Sequence, residues 1–211
     1  LSQLTKKKVV YNFRQNDIDN GGQGAPLTPI FHNVLANKFS EKFNLKFPVN
    51  LLNIGGIANI TSTVDWQNLN LKKNLFAHDI GPGNCLIDDW IRKNSKEKYD
   101  KNGLIAKSGM TDELILNQAL ENFNYKLDYE KSLDIKDFDI FFAKGLSLEN
   151  GAATITDFTA KLISDGISYF NKKNKIKENK WLVCGGGRKN DYLLKKIEDN
   201  FSDLDIISID K

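Results

Sequence analysis

Residues 49–64, VNLLNIGGIANITSTV, and residues 74–84, NLFAHDIGPGN, decide the fold. The first stretch is two β-rich runs meeting at Gly55-Gly56, which is the composition of an antiparallel hairpin. The second predicts a third strand over 75–79 that ends on Asp79 and opens into another glycine loop, Gly81-Pro82-Gly83. Two glycine loops at strand ends, with an acid beside the second, point to a phosphate site served by a carboxylate.

Upstream, KVVYNF (8–13) is β-branched and aromatic enough to predict a strand. The next stretch, to Pro29, holds Gly21, Gly22, Gly24 and Pro26 and reads as irregular backbone, either a surface turn or a ligand loop. Phe31, Leu35, Phe39 and Phe43 recur at helical spacing, so 30–43 predicts an amphipathic helix, with His32 on its face rather than a ligand. Phe47-Pro48 marks a lobe boundary.

Downstream, the pattern predicts helices over 84–93, over 111–123 with Thr111 as N-cap, and over 151–171. Residues 125–148 are mixed and support no assignment. Then come a buried strand at 181–184, the turn Gly185-Gly186-Gly187, a helix from Asp191 and a strand at 204–209. A hairpin followed by α/β crossovers gives a mixed sheet covered by helices. A dinucleotide-binding fold would begin strand–helix–strand with a G-x-G-x-x-G turn, and this chain does neither.

The chain has 211 residues, 40% hydrophobic and 27% charged, with a net charge of +3. That suits a globular domain with a buried core. Its cations are nearly all lysine, with arginine only at Arg14, Arg92 and Arg188, which gives nucleic-acid binding little support. Cys85 and Cys184 have no paired spacing, so neither a disulfide framework nor a zinc site is expected, and a reducing cytoplasm fits. No apolar run is long enough to cross a bilayer, and no membrane partner is expected. The chain begins at Leu1, carries its only methionine at Met110 and stops after the apolar run LDIISI, so it reads as a piece of a longer protein.

Each motif has a plain and a chemical reading. Gly55 and Gly56 could form a hairpin turn or a phosphate nest, although flanking Asn53 and Asn59 are more than a turn requires. Gly185, Gly186 and Gly187 could serve tight strand–helix packing or let a flat ring such as adenine lie on bare backbone. Asp79 could cap its turn or act as a base at the edge of the sheet. Asp88 and Asp89 read as solvated first-turn acids.

Taken together, GGQGAPLTPIFH (21–32), NIGGIANIT (53–61), DIGPGNCLIDDW (79–90), KSLDIKDF (131–138), GAATITDFTA (151–160) and CGGGRKN (184–190) resemble, in order, the sequence blocks of the anhydro-N-acetylmuramic acid kinase family. The resemblance implies an actin-like ATPase (ribonuclease H-like) α/β fold, a mixed sheet with helices on both faces. Residues 1–48 would close a partial first lobe and 49–211 would form most of the second, truncated at its C-terminus. It implies an ATP- and Mg²⁺-dependent kinase of cell-wall recycling. That enzyme hydrolytically opens 1,6-anhydro-N-acetylmuramic acid and phosphorylates O6, giving N-acetylmuramic acid 6-phosphate.

By the same resemblance Asp79 is the catalytic base. Asn53, Gly55, Gly56, Asn59 and Gly185 to Gly187 hold ATP. Gly22, Gln23, Gly24, Ala25, Pro26, Gly81, Gly83 and Asn84 face the sugar, with Arg14 as a charge partner for its lactyl carboxylate. No metal ligand is assigned, and a homodimer is the candidate assembly. Two departures stand out: the family's threonine after the aspartate is Ile80, which removes a hydroxyl beside the reacting groups, and the family's G-T-S-x-D-G phosphate loop is absent. The alternatives are an inactive nucleotide- or sugar-binding fragment, or another sugar kinase of the same superfamily.

Overall fold

The Gly55-Gly56 hairpin is the centre of a five-stranded sheet. The computed structural model describes residues 1–22, 24–63, 75–124, 132–176 and 180–210. Strand β1 (Asn50–Ile54) pairs antiparallel with β2 (Ile57–Ser62), matching Leu52 to Ile60 and Asn53 to Asn59. Strand β3 (Phe76–Pro82) adds antiparallel to β2. Strands β4 (Lys180–Cys184) and β5 (Asp205–Ser208) add in parallel on the far side of β1, giving the order β3-β2-β1-β4-β5.

Because β1 and β4 are covered on both faces, they read as near-continuous apolar runs rather than alternating ones. Leu52, Ile54, Ile60, Trp181 and Val183 point into the main core. Leu51 and Leu182 point the other way, into a smaller cluster with Val49 and Ala36. Ala36 belongs to α3 (Pro29–Lys42), which follows the short helices α1 (Ser2–Thr5) and α2 (Gln15–Asp19). The mixed sheet with helices on both faces is thus the expected α/β class.

The main core is filled by α4 (Cys85–Asn94), α5 (Leu104–Ser108), α6 (Glu113–Asn124), α7 (Leu148–Asn174) and α8 (Asp191–Glu198). Ser147 caps α7 by accepting from the Asn150 amide at 3.2 Å. Every residue of α7 from Gly151 to Ala160 is buried, because the helix is wedged among the sheet, α4, α5 and α6. No helix among the described residues is long and apolar enough to cross a membrane.

Several expectations need correction. Residues 8–13 form no strand; Val10, Tyr11 and Phe13 are exposed, and β propensity without a ladder partner does not make a strand. The irregular stretch after them contains α2. Strand β3 does not end at Asp79 but continues to Pro82, past a bulge between Ala58 and Asn59. Thr111 is not the cap of α6: its hydroxyl donates to Asp157, and Asp112 Oδ1 accepts from the Ile115 amide at 3.0 Å instead. Residues Ile135–Asp137 and Phe141–Ala143 of the unassigned stretch are short 3-10 turns.

His32 is buried, at 4% exposure, with Nδ1 2.7 Å from the Thr61 hydroxyl. Burial lowers its pKa from 6.5 to about 4, so the folded protein holds it neutral while the unfolded chain protonates it earlier. Between pH 6.5 and 4 the unfolded state binds more protons, and stability falls as pH falls. Urea unfolding at pH 7 and pH 4.5 is expected to show a loss of about 2–3 kcal/mol from this group, which His32→Gln removes. Equal pH dependence in the variant would show that His32 is not the sensor.

Candidate functional site

The register aligns a polar row across the sheet. Asn53 on β1 sits opposite Asn59 on β2, Asn59 sits opposite Asp79 on β3, and Cys184 on β4 flanks Asn53. Side chains two apart share a face. The row therefore lies one step along from Leu51 and Thr61, on the face that α3 covers, and away from the main core. Asn53 Oδ1 lies 3.6 Å from the Cys184 sulfur.

Asp79 is 6% exposed. Burial raises its pKa, opposed by a hydrogen bond from the Leu133 amide to Oδ2 at 2.9 Å and by the charges of His78 and Arg14. A carboxylate held this way has the features of a general base: one oxygen fixed, and a proton affinity above that of an exposed acid. Next to Leu133, the Ser132 hydroxyl donates to the Ala25 carbonyl at 2.7 Å. The glycine loop is held from its other side by Asp17, whose Oδ2 accepts from the Gly24 amide at 2.7 Å and whose carbonyl accepts from the Gly22 amide at 2.8 Å. Pro26 follows a cis peptide bond. Arg14, Gly24, Ala25 and Asp79 thus gather at one place, and Gln23 lies outside the described residues.

Gly55 and Gly56 turn their carbonyls toward the start of α4. Gly55 O accepts from the Asn84 amide at 2.7 Å, and Gly56 O accepts from the Gly83 and Cys85 amides at 2.8 and 3.2 Å. The Gly55 amide bonds the Ile57 carbonyl at 3.2 Å, so the turn does not present the expected pair of open amides. A Cβ on Gly83 would sit 2.3 Å from Gly55 O, so this contact requires glycine. Gly81 backs onto Leu162 of α7.

Ile80 also points to the α7 side: a Cβ on Gly166 would lie 2.5 Å from the Ile80 Cβ, and Ile80 is 1% exposed. The expectation that Ile80 deletes a hydroxyl beside the reacting groups is therefore corrected. Alternation along β3 sends Asp79 and Ile80 to opposite faces, and Ile80 is a core residue.

A second region opens on the other side of the hairpin. Gly185 has φ +78° and lies against Asn53 Oδ1 and the Ile54 carbonyl, while Gly187 lies against Ile54 Cγ2. Gly186 is different: a Cβ there would meet nothing nearer than Asn84 Nδ2 at 3.7 Å. It faces a cavity of about 500 Å³ lined also by Asn84, Asp88, Tyr99, Asn102 and Asn190. That volume suits a nucleoside-sized ligand. The turn is braced by Arg188, which donates to the Gly185 carbonyl at 2.6 Å and pairs with Asp210 at 2.7 Å. Burial pushes both the Cys85 and Cys184 thiols up to about 11, which rules them out as ready nucleophiles.

Asn84 therefore groups with Gly186 rather than with the Gly22–Pro26 loop. The sequence assigns no role to Asp17, Ser132, Leu133, Tyr99 or Asn190. An acid just before a glycine-rich loop would have flagged Asp17. Ser132 and Leu133 fall in the block KSLDIKDF (131–138), but the block assigns them no role, because their roles rest on contacts 107 and 54 residues away. Among the described residues no group of three His, Cys, Asp or Glu side chains could hold a metal ion.

The family model described as anhydro-N-acetylmuramic acid kinase matches residues 1–211. The chain is 50% identical over 198 residues to the anhydro-N-acetylmuramic acid kinase of Pelagibacter ubique strain HTCC1062, covering 93% of this chain and 51% of that protein. It is 40% identical over 200 residues to the kinase of the same name from Zymomonas mobilis, covering 95% and 51%. The solved activator of 2-hydroxyisocaproyl-CoA dehydratase from Clostridium difficile with bound ADPNP overlays on 85% of this chain and 59% of its own. That overlay has a TM-score of 0.47 and 15% identity. The chain spans about half the length of the curated relatives it matches.

Proposed function

The chain belongs to the anhydro-N-acetylmuramic acid kinase family, and from that premise we propose that it carries the base and the nucleotide platform of a kinase acting on 1,6-anhydro-N-acetylmuramic acid. The observation that carries the reading is Asp79, buried and held by Leu133, beside the loop tied to Ser132. Asp79 takes a proton from the water that attacks C1, as a glycosidase carboxylate does, and the anhydro bridge opens. The freed O6 then attacks the γ-phosphate of ATP, giving N-acetylmuramic acid 6-phosphate and ADP.

In this reading Gly22, Gly24 to Pro26 and Arg14 face the sugar, with Arg14 near its lactyl carboxylate. Asn53, Asn59, Gly55 and Gly56 line the path of the phosphates. Gly186 and the 500 Å³ cavity take the nucleoside. Mg²⁺ would arrive on the triphosphate, held mainly by phosphate oxygens and water, and would neutralise charge there. The sheet order β3-β2-β1-β4-β5, with its first three strands antiparallel, supports reading residues 49–211 as the second lobe of an actin-like ATPase; residues 1–48 are read as the end of the first, with α3 laid against this sheet. A cytoplasmic homodimer completes the proposal.

The test is ADP release by the full-length gene product, with and without the anhydro sugar. Sugar-dependent turnover is expected; none from a folded, ATP-binding protein overturns the reading. A second reading, binding without turnover, is motivated by the half-length match. Residues 1–211 alone are expected to show negligible turnover, and measurable activity from them would refute it.

A further inference from the structure

The segment 132–137 touches three separate parts of the site. Ser132 Oγ donates to the Ala25 carbonyl in the glycine loop at 2.7 Å. The Leu133 amide donates to Asp79 Oδ2 at 2.9 Å. Ile135 Cγ2 lies 3.8 Å from where a Cβ on Gly56 would be, so it roofs the hairpin turn. The segment is itself stiffened by a reciprocal cap. Asp134 Oδ1 accepts from the Lys136 amide at 3.0 Å, and Asp137 Oδ2 accepts from the Asp134 amide at 2.7 Å. A capped turn presents its flanking groups in one arrangement.

From this geometry we infer that Ser132 is a positioning residue, which clamps the Gly24–Pro26 loop over Asp79 through adjacent hydrogen bonds to the loop and to the base. The inference rests on the reading of Asp79 as the base and the loop as the sugar side. Leu133 fixes the rotation of the carboxylate, and Ser132 fixes the loop relative to that carboxylate. Substrate and base are then aligned by one short piece of backbone rather than by two independent loops. Misplacement by about an ångström at a reacting centre costs on the order of a hundredfold in rate, so such a clamp has consequences. Loss of the Ser132 hydroxyl frees the loop while leaving the Leu133 amide on Asp79.

The experiment compares Ser132→Ala and Ser132→Thr with wild type in the full-length protein. For Ser132→Ala, kcat/KM for the anhydro sugar is expected to fall about three- to tenfold, the worth of one neutral hydrogen bond. The sugar KM rises while the ATP KM is unchanged, and Ser132→Thr, which keeps the hydroxyl, restores kcat/KM and the sugar KM. Without any substrate, hydrogen exchange of the peptide spanning 20–28 is expected to quicken in Ser132→Ala only. An unchanged sugar KM, an equal change in the ATP KM, or unchanged exchange overturns the clamp. If Ser132→Ala does not fold, Ser132→Cys, a weaker donor at the same position, is read by the same criteria. An inactive wild type would sink the kinase reading, while the exchange result would still decide the clamp.

Discussion

Asp79→Asn in the full-length protein is expected to lower turnover of the anhydro sugar by about 10²–10⁴-fold, the usual worth of a general base, while leaving ATP affinity nearly unchanged. The substitution is close to isosteric, and an amide oxygen can still accept from the Leu133 N–H, now at 2.9 Å from Oδ2. What it removes is the basicity of the carboxylate, which the proposed mechanism needs to take the proton. The cavity at Gly186, proposed for the nucleoside, does not include Asp79 among its lining residues, so nucleotide binding provides the control. Retained turnover would show that the proton goes elsewhere.

The pH profile adds an independent arm. Burial raises the Asp79 pKa, so the acid limb of kcat/KM is expected above the ordinary aspartate range. Arg14 opposes that rise, so Arg14→Gln should move the limb further up. The linkage to stability has the opposite sign from that of His32. A carboxyl with a raised folded pKa contributes stability below its unfolded value of 3.8 and loses it as pH climbs through the folded one. His32, whose folded pKa is lowered, costs stability as pH falls from 6.5 toward 4. Asp79→Asn should therefore abolish the activity limb without removing the acid sensitivity that belongs to His32.

The parts of this site legible in the sequence are those set by local chemistry. Gly55-Gly56 between two β-branched runs produces the hairpin, and the apolar stripe of 151–171 produces α7. Features made by distant partners were not legible. KVVYNF has the composition of a strand but finds no ladder, and Asp79 lies inside β3 because the bulge at Ala58/Asn59 lets the pairing continue to Pro82. Ile80 looked like part of the chemistry by adjacency, yet strand alternation sends it to the core against Gly166. Ser132 and Leu133 sit in the block KSLDIKDF, but only the tertiary fold brings them to Ala25 and Asp79.

Gly185 and Gly186, neighbours in one turn, should separate sharply under substitution by alanine. At Gly185, φ +78° with ψ 178° is a conformation almost confined to glycine, and a Cβ would fall 2.5 Å from both Asn53 Oδ1 and the Ile54 carbonyl oxygen. The amide of Asn53 can rotate aside, but the backbone carbonyl of a central strand cannot. Backbone strain of about 1–3 kcal/mol and overpacking of similar size are expected to add, giving roughly 2–6 kcal/mol. Against a typical domain stability of about 5–15 kcal/mol, Gly185→Ala should melt much earlier or fail to fold. Gly186→Ala meets nothing within 3.7 Å and should melt like wild type. Its methyl instead enters the cavity beside Asn84 and Asn190, and ATP binding is expected to weaken roughly tenfold, about 1.4 kcal/mol. Thermal melts and nucleotide titrations of the two variants, side by side, read both effects. A Gly185→Ala protein as stable as wild type would refute the close approach to β1. A Gly186→Ala protein with unchanged ATP affinity would place the nucleoside somewhere other than this cavity, because no ligand lying on bare Gly186 backbone could ignore a methyl group there.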